Sequence, residues 1–222
     1  MITVSQVRNV VLRRTFEFGF EEISRAYHMT LKAQVELEAE AEATVRKRSG
    51  LTPDEVVPEV EHDENGQPSF DFWEEVGELK DEAESTARIV RSAFLIALFH
   101  FWERHSNRWI DKENYSHEPV MAWLKTQNST PDEALLKDLQ LAANCVKHGP
   151  GNACNKLLAR RPELFEWYSI DQSRMGVFPE SKPGHHNIKI DSKTLQAFFE
   201  AVSRSGPKAG QDQDQLADKA TL

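Results

Sequence analysis

Three polar residues near the end of a predicted helix carry groups that can act on a phosphodiester. Residues 135–151 read LLKDLQLAANCVKHGPG, in which Asn144, Lys147 and His148 precede a helix-ending Gly-Pro-Gly. An imidazole can move protons near neutral pH, whereas an ammonium and an amide can stabilise the charge that develops on a phosphate. Metal-independent RNA cleavage needs these parts, so we interpret Asn144, Lys147 and His148 as the candidate catalytic group.

A helical wheel sorts the same segment into an apolar face and a polar edge. The apolar face predicts a buried stripe made of Leu135, Leu136, Leu139, Ala142, Ala143 and Val146. The polar edge consists of Lys137, Gln140, Asn144, Lys147 and His148. The simpler alternative is that this edge is the solvated face of an amphipathic helix, where the helix dipole favours a histidine in the last turn.

A second polar group lies in the most apolar part of the chain. His100, Glu103, Arg104 and Asn107 stand at positions i, i+3, i+4 and i+7, so a helix places them on one face. The supporting candidates for the catalytic group are Glu103, Arg104, Asn107, Gln140 and Arg160. The alternatives are that His100 is a core histidine bonded to a neighbour and that Glu103 and Arg104 form a helix-end ion pair.

The elements that must position these residues are predicted to be helices. Apolar residues at helical spacing predict one long helix, or two in series, over Val7–Arg48 and a second long helix over Phe70–Trp109. Shorter helices are predicted over Val120–Leu124, from the TPDE cap at Thr130–Glu133 to His148, over Asn152–Arg160 and over Lys193–Arg204. The sequence therefore predicts an all-α fold with a single helical domain over residues 1–204.

The C-terminal part of the chain also holds less regular segments. Residues 165–185 have no periodic pattern, and HNIKI at 186–190 has the alternation of a short strand. Residues 205–222 have little to bury, so they are predicted to be a disordered tail.

The charge of the chain is unevenly distributed. The 222 residues carry a net charge of −9, which disfavours non-specific binding of nucleic acid. From Glu36 to Glu84 there are 17 acidic and 4 basic residues, a net of −13, so the remainder of the chain nets +4. The mildly basic remainder contains the polar edge, and it leaves room for a local RNA or phosphate site.

Composition also bears on the compartment. No apolar run approaches the roughly 20 residues of a membrane span, and the first residues lack the pattern of a signal peptide. The two cysteines, Cys145 and Cys154, match no zinc spacing and do not make a disulfide framework. We therefore expect a cytoplasmic protein with no metal, no cofactor and no membrane partner. An alternative chemistry pairs Cys145 as a thiol nucleophile with His148 as its base.

The two long helices, the second ending in FWERHSNRW, and the shorter helix ending in ANCVKHGPG together resemble the HEPN superfamily. These are all-α domains that are often RNA-cleaving toxins or defence proteins of prokaryotes. The resemblance covers residues 21–165 and implies a bundle of two long antiparallel helices and a shorter third helix, to which the sequence pattern adds a C-terminal helix with a possible short strand. The family motif is Arg-x4–6-His, commonly Arg-Asn-x3-His, and Asn144 and His148 fit its last two positions.

The sequence departs from the family motif at one position. Ala143 stands where the arginine is expected, so the basic role passes to Lys147, to Arg160 or Arg161 of the next helix, or is absent. In the first two cases the resemblance implies a metal-independent endoribonuclease that forms a symmetric homodimer. Its ligand would be RNA or a nucleotide, and a cognate protein partner is expected in a toxin–antitoxin or antiviral defence system. In the last case the resemblance implies a non-catalytic helical dimerisation or interaction module.

Overall fold

The structure is a computed structural model that describes residues 4–57, 60–62, 64–66, 68–127, 129–165 and 188–206. Most of these residues lie in helices: α1 (Val4–Arg48), α2 (Phe72–Ile110), α3 (His117–Thr126), α4 (Glu133–His148), α5 (Asn152–Arg160) and α6 (Ser192–Ser205). A short antiparallel ribbon joins β1 (Glu61–His62) to β2 (Pro68–Phe70), and a single 3-10 turn covers Pro162–Leu164. The prediction of an all-α fold is confirmed.

The chain divides into two compact units. Unit 1 comprises Met1–Arg25 and Arg91–Leu222, and unit 2 comprises Ala26–Val90. Both long helices therefore contribute one part to each unit. The extent of an independently folding domain over residues 1–204 stays a prediction.

Aromatic side chains hold the two long helices together inside unit 1. Phe16 of α1 lies 5.3 Å from Trp109 of α2 between ring centroids, and Phe20 lies 6.3 Å from Phe101. Because the later residue on α1 meets the earlier residue on α2, the two segments run antiparallel. Gly19 lies between the two α1 phenylalanines, and a Cβ atom there would come within 2.9 Å of the Phe101 ring. A glycine at this position therefore allows the helices to approach closely.

The remaining helices of unit 1 complete its core. α4 packs against α5 and α6, and four of the six residues of its predicted stripe are buried: Leu136, Leu139, Ala142 and Ala143. Leu135 and Val146 are partly exposed instead. The fully buried side chains of these three helices include Leu136, Leu139, Ala142, Leu157, Leu195, Phe198 and Val202. Phe199 of α6 also lies 6.0 Å from Phe20 of α1, so α6 closes the aromatic cluster. Deep burial of so many apolar groups is the main source of stability for such a unit.

Short-range capping sets the ends of α4. The Asp132 side chain accepts a hydrogen bond from the backbone N–H of Leu135 at 3.1 Å, so Asp132 is the N-cap. At the other end Gly149 adopts φ +72°, and its N–H donates to the Cys145 carbonyl at 3.0 Å. This left-handed conformation suits glycine and fixes His148 as the last helical residue.

Cys145 and Cys154 form a disulfide that joins the last turn of α4 to the first turn of α5. Their Cα atoms are 4.8 Å apart, and both residues are fully buried. The two cysteines, which were not expected to form a disulfide framework, are therefore paired, and the eight residues of helix and turn between them bring them together. Because its sulfur is part of this disulfide, Cys145 has no free thiol to act as a nucleophile beside His148.

Unit 2 has a small core of its own. Ala41 and Val45 of α1 pack with Phe72 and Val76 of α2. The Arg46 guanidinium lies 5.6 Å from the centre of the Phe72 ring, which adds a cation–π contact.

Two C-terminal predictions fall largely outside the described residues. Ile188, within the predicted strand-like segment, forms an isolated antiparallel bridge with Phe165. Residues 166–187 and 207–222, which include most of the predicted irregular segment and of the predicted tail, lie outside the described residues. Asp191 caps α6 by accepting a hydrogen bond from the Thr194 N–H at 2.7 Å.

Candidate functional site

The polar edge of α4 lies opposite its buried stripe. Lys137, Gln140 and Asn144 are partly exposed, whereas Lys147 and His148 are exposed. Ala143, at the position where the HEPN motif has an arginine, is only 2% exposed and belongs to the core. An arginine at position 143 would therefore point toward packed apolar groups in this structure, not toward the polar edge.

The outer part of this edge is not held by other side chains. Lys137 Nζ donates to Gln140 Oε1 at 3.0 Å, so the first two residues of the edge occupy each other. Within the described part of the chain, the side chains of Asn144, Lys147 and His148 have no hydrogen-bond or ion-pair partner. These three side chains are free to meet a ligand, but the protomer alone does not orient the imidazole.

The arginines of α5 and the following turn are engaged with a buried carboxylate on α4. Arg160 Nε donates to Asp138 Oδ1 at 2.6 Å, and an Arg161 terminal nitrogen donates to Asp138 Oδ2 at 3.2 Å. Asp138 is 4% exposed, and Arg161 is also paired with Glu163. Neither arginine is therefore free to replace the one that is missing beside Asn144. The wheel places Asp138 away from the polar edge but does not reveal this ion pair.

A cleft of about 460 Å³ lies on the second half of α2. Its lining residues are His100, Glu103, Arg104 and Asn107 of α2 and Glu113, Asn114 and Tyr115 of the α2–α3 loop. The spacing-based prediction that the four α2 residues share one face agrees with this arrangement. Of the five supporting candidates, the cleft brings together three, and neither Gln140 nor Arg160 lines it.

Inside the cleft, a histidine and a carboxylate form a pair. His100 Nδ1 lies 3.0 Å from Glu103 Oε2, and the two side chains are 39% and 33% exposed. His100 is therefore not a core histidine, and the partner of Glu103 is His100, not Arg104. Arg104 is exposed and has no ion-pair partner among the described residues. With Nδ1 bonded to the carboxylate, Nε2 is the imidazole nitrogen that remains for a ligand.

Two hydrogen bonds tie the α2–α3 loop to α2 behind the cleft. Asn107 Nδ2 donates to the Glu113 carbonyl at 3.1 Å, and Trp102 Nε1 donates to the Tyr115 hydroxyl at 3.2 Å. Burial raises the pKa of Tyr115 to about 12, so the phenol stays protonated. Tyr115 consequently acts as a neutral wall of the cleft.

His117 lies behind Tyr115 and was not found from the sequence. Its Nδ1 is 3.2 Å from the Tyr115 hydroxyl, which also accepts a hydrogen bond from Trp102 Nε1. Burial lowers the pKa of His117, and the Lys137 charge on α4 lowers it further. His117 therefore lies behind the cleft, where the charge of Lys137 on α4 still affects its pKa. The only sequence signal was a histidine two residues after a tyrosine.

His105 lies on α2 between cleft residues but has a different environment. Its imidazole is 7% exposed and packs 4.4 Å from the Phe101 ring and 5.6 Å from the Phe16 ring. Burial lowers its pKa to about 4, and repulsion by Arg108 and Arg104 acts in the same direction. His105 is therefore a neutral core residue near neutral pH.

Comparison of this chain with protein-family models, with curated proteins and with solved structures gives no match. Among the described residues, no group of three or more His, Cys, Asp or Glu side chains is placed to hold a metal ion. No described helix is both long and apolar enough to cross a membrane.

Proposed function

We propose that this chain is a HEPN-like, RNA-directed protein whose α4 edge meets the RNA backbone. The observation that supports this proposal is the pairing of Asn144 and His148, at the HEPN spacing, on an exposed helix end where neither side chain has a partner among the described residues. Lys147 adds an exposed cation next to them.

The chemistry proposed for this edge is cleavage without a metal. His148 takes the proton of the ribose 2′-hydroxyl, the 2′-oxygen attacks phosphorus, and the 5′-oxygen leaves with a proton from an acid. The products are a 2′,3′-cyclic phosphate and a 5′-hydroxyl. Lys147 stabilises the charge on the phosphate oxygens, and Asn144 orients the imidazole or the RNA.

A symmetric homodimer is part of this proposal. One protomer supplies one unoriented imidazole, whereas two facing α4 ends would supply a base, an acid and two lysines in one cleft. The expected setting is a cytoplasmic toxin–antitoxin or antiviral defence system, in which a cognate protein partner controls the cleavage.

A non-catalytic interaction module is the second candidate function. It is favoured by Ala143, which is buried, and by Arg160 and Arg161, which are bound to Asp138. No described arginine of α5 is thereby left to stabilise a transition state at His148. Under this proposal the same α4 surface serves dimerisation or partner binding, and no RNA is cleaved.

A metal-free cleavage assay separates the two candidates. Purified protein is incubated with labelled RNA in excess EDTA, and product ends are analysed for a cyclic phosphate. His148→Ala should lower the rate by about 10²–10⁴-fold, because a general base contributes about this much. His28→Ala is the matched control, since His28 is an exposed histidine of unit 2.

Each result of this assay has a definite meaning. Cleavage that His148→Ala abolishes and His28→Ala preserves supports the catalytic proposal. Intact RNA in all reactions, together with a stable dimer by light scattering, supports the interaction module. A monomer at all concentrations contradicts the dimeric site in both candidates.

A further inference from the structure

The cleft on α2 is formed before any ligand arrives. Asn107 holds the Glu113 carbonyl at 3.1 Å, and the backbone N–H of Lys112 donates to the Asn107 carbonyl at 3.0 Å. The Trp102–Tyr115 hydrogen bond fixes the far end of the same loop. The cleft has a volume of about 460 Å³ and is more open to solvent than enclosed, so a bound ligand would stay partly exposed. Preformed walls reduce the entropy lost when a ligand binds.

The charges of the cleft argue against a simple anion site. Glu103 and Glu113 line it against a single guanidinium, that of Arg104. The Glu103 carboxylate also forms a hydrogen bond with His100, so it already has a partner and does not need a cation. The mixture of positive and negative groups in the lining favours a neutral ligand that forms hydrogen bonds.

The lining groups favour a ligand that both donates and accepts hydrogen bonds. A carboxylate only accepts hydrogen bonds and a guanidinium only donates them, whereas a hydroxyl does both. Glu103 and Arg104 are consecutive residues at the same cleft. A vicinal diol offers one hydroxyl that donates to the Glu103 carboxylate and a second that accepts from the Arg104 guanidinium, and the His100 Nε2 can accept from one of them when Nδ1 carries the ring proton.

We propose that this cleft binds a vicinal diol, as carried by a free sugar or by the ribose of a ribonucleoside. One hydroxyl donates to the Glu103–His100 pair, and its neighbour accepts from Arg104. Asn114 and the Tyr115 phenol ring bound the remaining space. This site is separate from the proposed role of His148, so it stands or fails independently of RNA cleavage.

The test uses paired probes that differ by one hydroxyl. Binding of methyl riboside and methyl 2-deoxyriboside to the full chain is compared by saturation-transfer NMR, and adenosine is compared with 2′-deoxyadenosine in the same way. Inorganic phosphate and free lysine test for an anion or a cation site. The expected result is that a diol binds and its deoxy partner binds at least about tenfold more weakly, since a charged hydrogen-bonding group of the cleft then loses its ligand partner.

Variants of the cleft then link binding to its residues. Glu103→Gln and Arg104→Met should each weaken diol binding at least about tenfold, because both substitutions remove a charged hydrogen-bond partner, and neither the half-buried Glu103 nor the exposed Arg104 belongs to the core. Arg108→Met is the matched control, since Arg108 is an exposed arginine one turn further along α2 that does not line the cleft. An unchanged melting temperature in all three variants excludes loss of folding as the cause.

The outcomes divide clearly. Binding of methyl riboside would show that a sugar alone is sufficient as a ligand. Binding of adenosine without binding of methyl riboside would show that the ligand is a ribonucleoside. Either result supports the diol site if the cleft variants lose that binding. Equal binding of hydroxy and deoxy probes, binding of phosphate or lysine that depends on Arg104 or Glu103, or no binding of any diol would each overturn the proposal. RNA cleavage by the same protein preparation is measured separately, so failure of one proposal does not imply failure of the other.

Discussion

Replacing His105 with leucine should make unit 1 less sensitive to acid. His105 is buried between the Phe16 and Phe101 rings, and its Nδ1 has no hydrogen-bond partner among the described residues. Its pKa falls from 6.5 to about 4, first because of burial and then because of the neighbouring arginines. Leucine has a similar volume and no charge to bury, so it removes the titration while filling the site.

The sign of the effect follows from which state binds the proton. Between pH 6.5 and 4, the unfolded chain protonates His105 while the folded chain does not. Lowering the pH through this window therefore favours unfolding, and the contribution of a neutral His105 is fully present only above pH 6.5. The difference of about 2.5 pH units corresponds to an upper value of roughly 3 kcal/mol.

Urea unfolding measured at pH 7.5, 6.5, 5.5 and 4.5 tests this reasoning. The wild-type free energy of unfolding should fall by about 2 kcal/mol more than that of His105→Leu between the first and last pH. His28→Leu, which changes an exposed histidine, should follow the wild type. Parallel pH profiles for the wild type and His105→Leu would refute the assignment of a neutral buried imidazole, whatever their absolute stabilities.

Three further predictions concern packing and cross-linking. Asp138→Asn should lower the free energy of unfolding, measured with urea at neutral pH, by about 1–3 kcal/mol, because it leaves a buried amide facing two arginines. A variant as stable as the wild type would show that the ion pair contributes nothing to stability. Reducing the Cys145–Cys154 disulfide should lower stability by about 2–3 kcal/mol, as expected for closure of a loop of this length, and the double alanine variant should not respond to reductant. Gly19→Ala should destabilise by about 1 kcal/mol, because its Cβ meets an aromatic ring at 2.9 Å, whereas Gly77→Ala, with nothing within 4 Å, should gain about 0.5–1 kcal/mol from helix propensity. Opposite signs at the two glycines in thermal melts would support this account, and equal gains would contradict the close approach at Gly19.

Local sequence signals located the helices well. The predicted α5, Asn152–Arg160, agrees with the structure at both ends, and the predicted end of α4 at His148 is confirmed. α4 ends before Gly149, and α5 begins after Gly151 and ends before Pro162, so residues next to them in the chain set these boundaries. The start of α4 differs slightly, because Asp132 rather than Thr130 provides the cap. Apolar character predicted burial less reliably at single positions. Ile89, for example, is 70% exposed although it begins an apolar segment of α2.

Long-range contacts explain what the sequence did not reveal. The disulfide depends on the angle between α4 and α5, and the Asp138 ion pair depends on arginines 22 and 23 residues away. The α2 face was predictable because three- and four-residue spacings are local, but the cleft above it needs the α2–α3 loop to fold back. Helical periodicity alone does not place Tyr115 or His117 beside that face.

The disulfide also closes a covalent ring that contains His148. A single backbone cut anywhere between Cys145 and Cys154, for example after Lys147, leaves the two halves of the chain linked through sulfur. The nicked protein would migrate as one species without reductant and as two fragments with it. The ring therefore retains the segment bearing His148 after proteolysis, because neither half can diffuse away while the bond is oxidised.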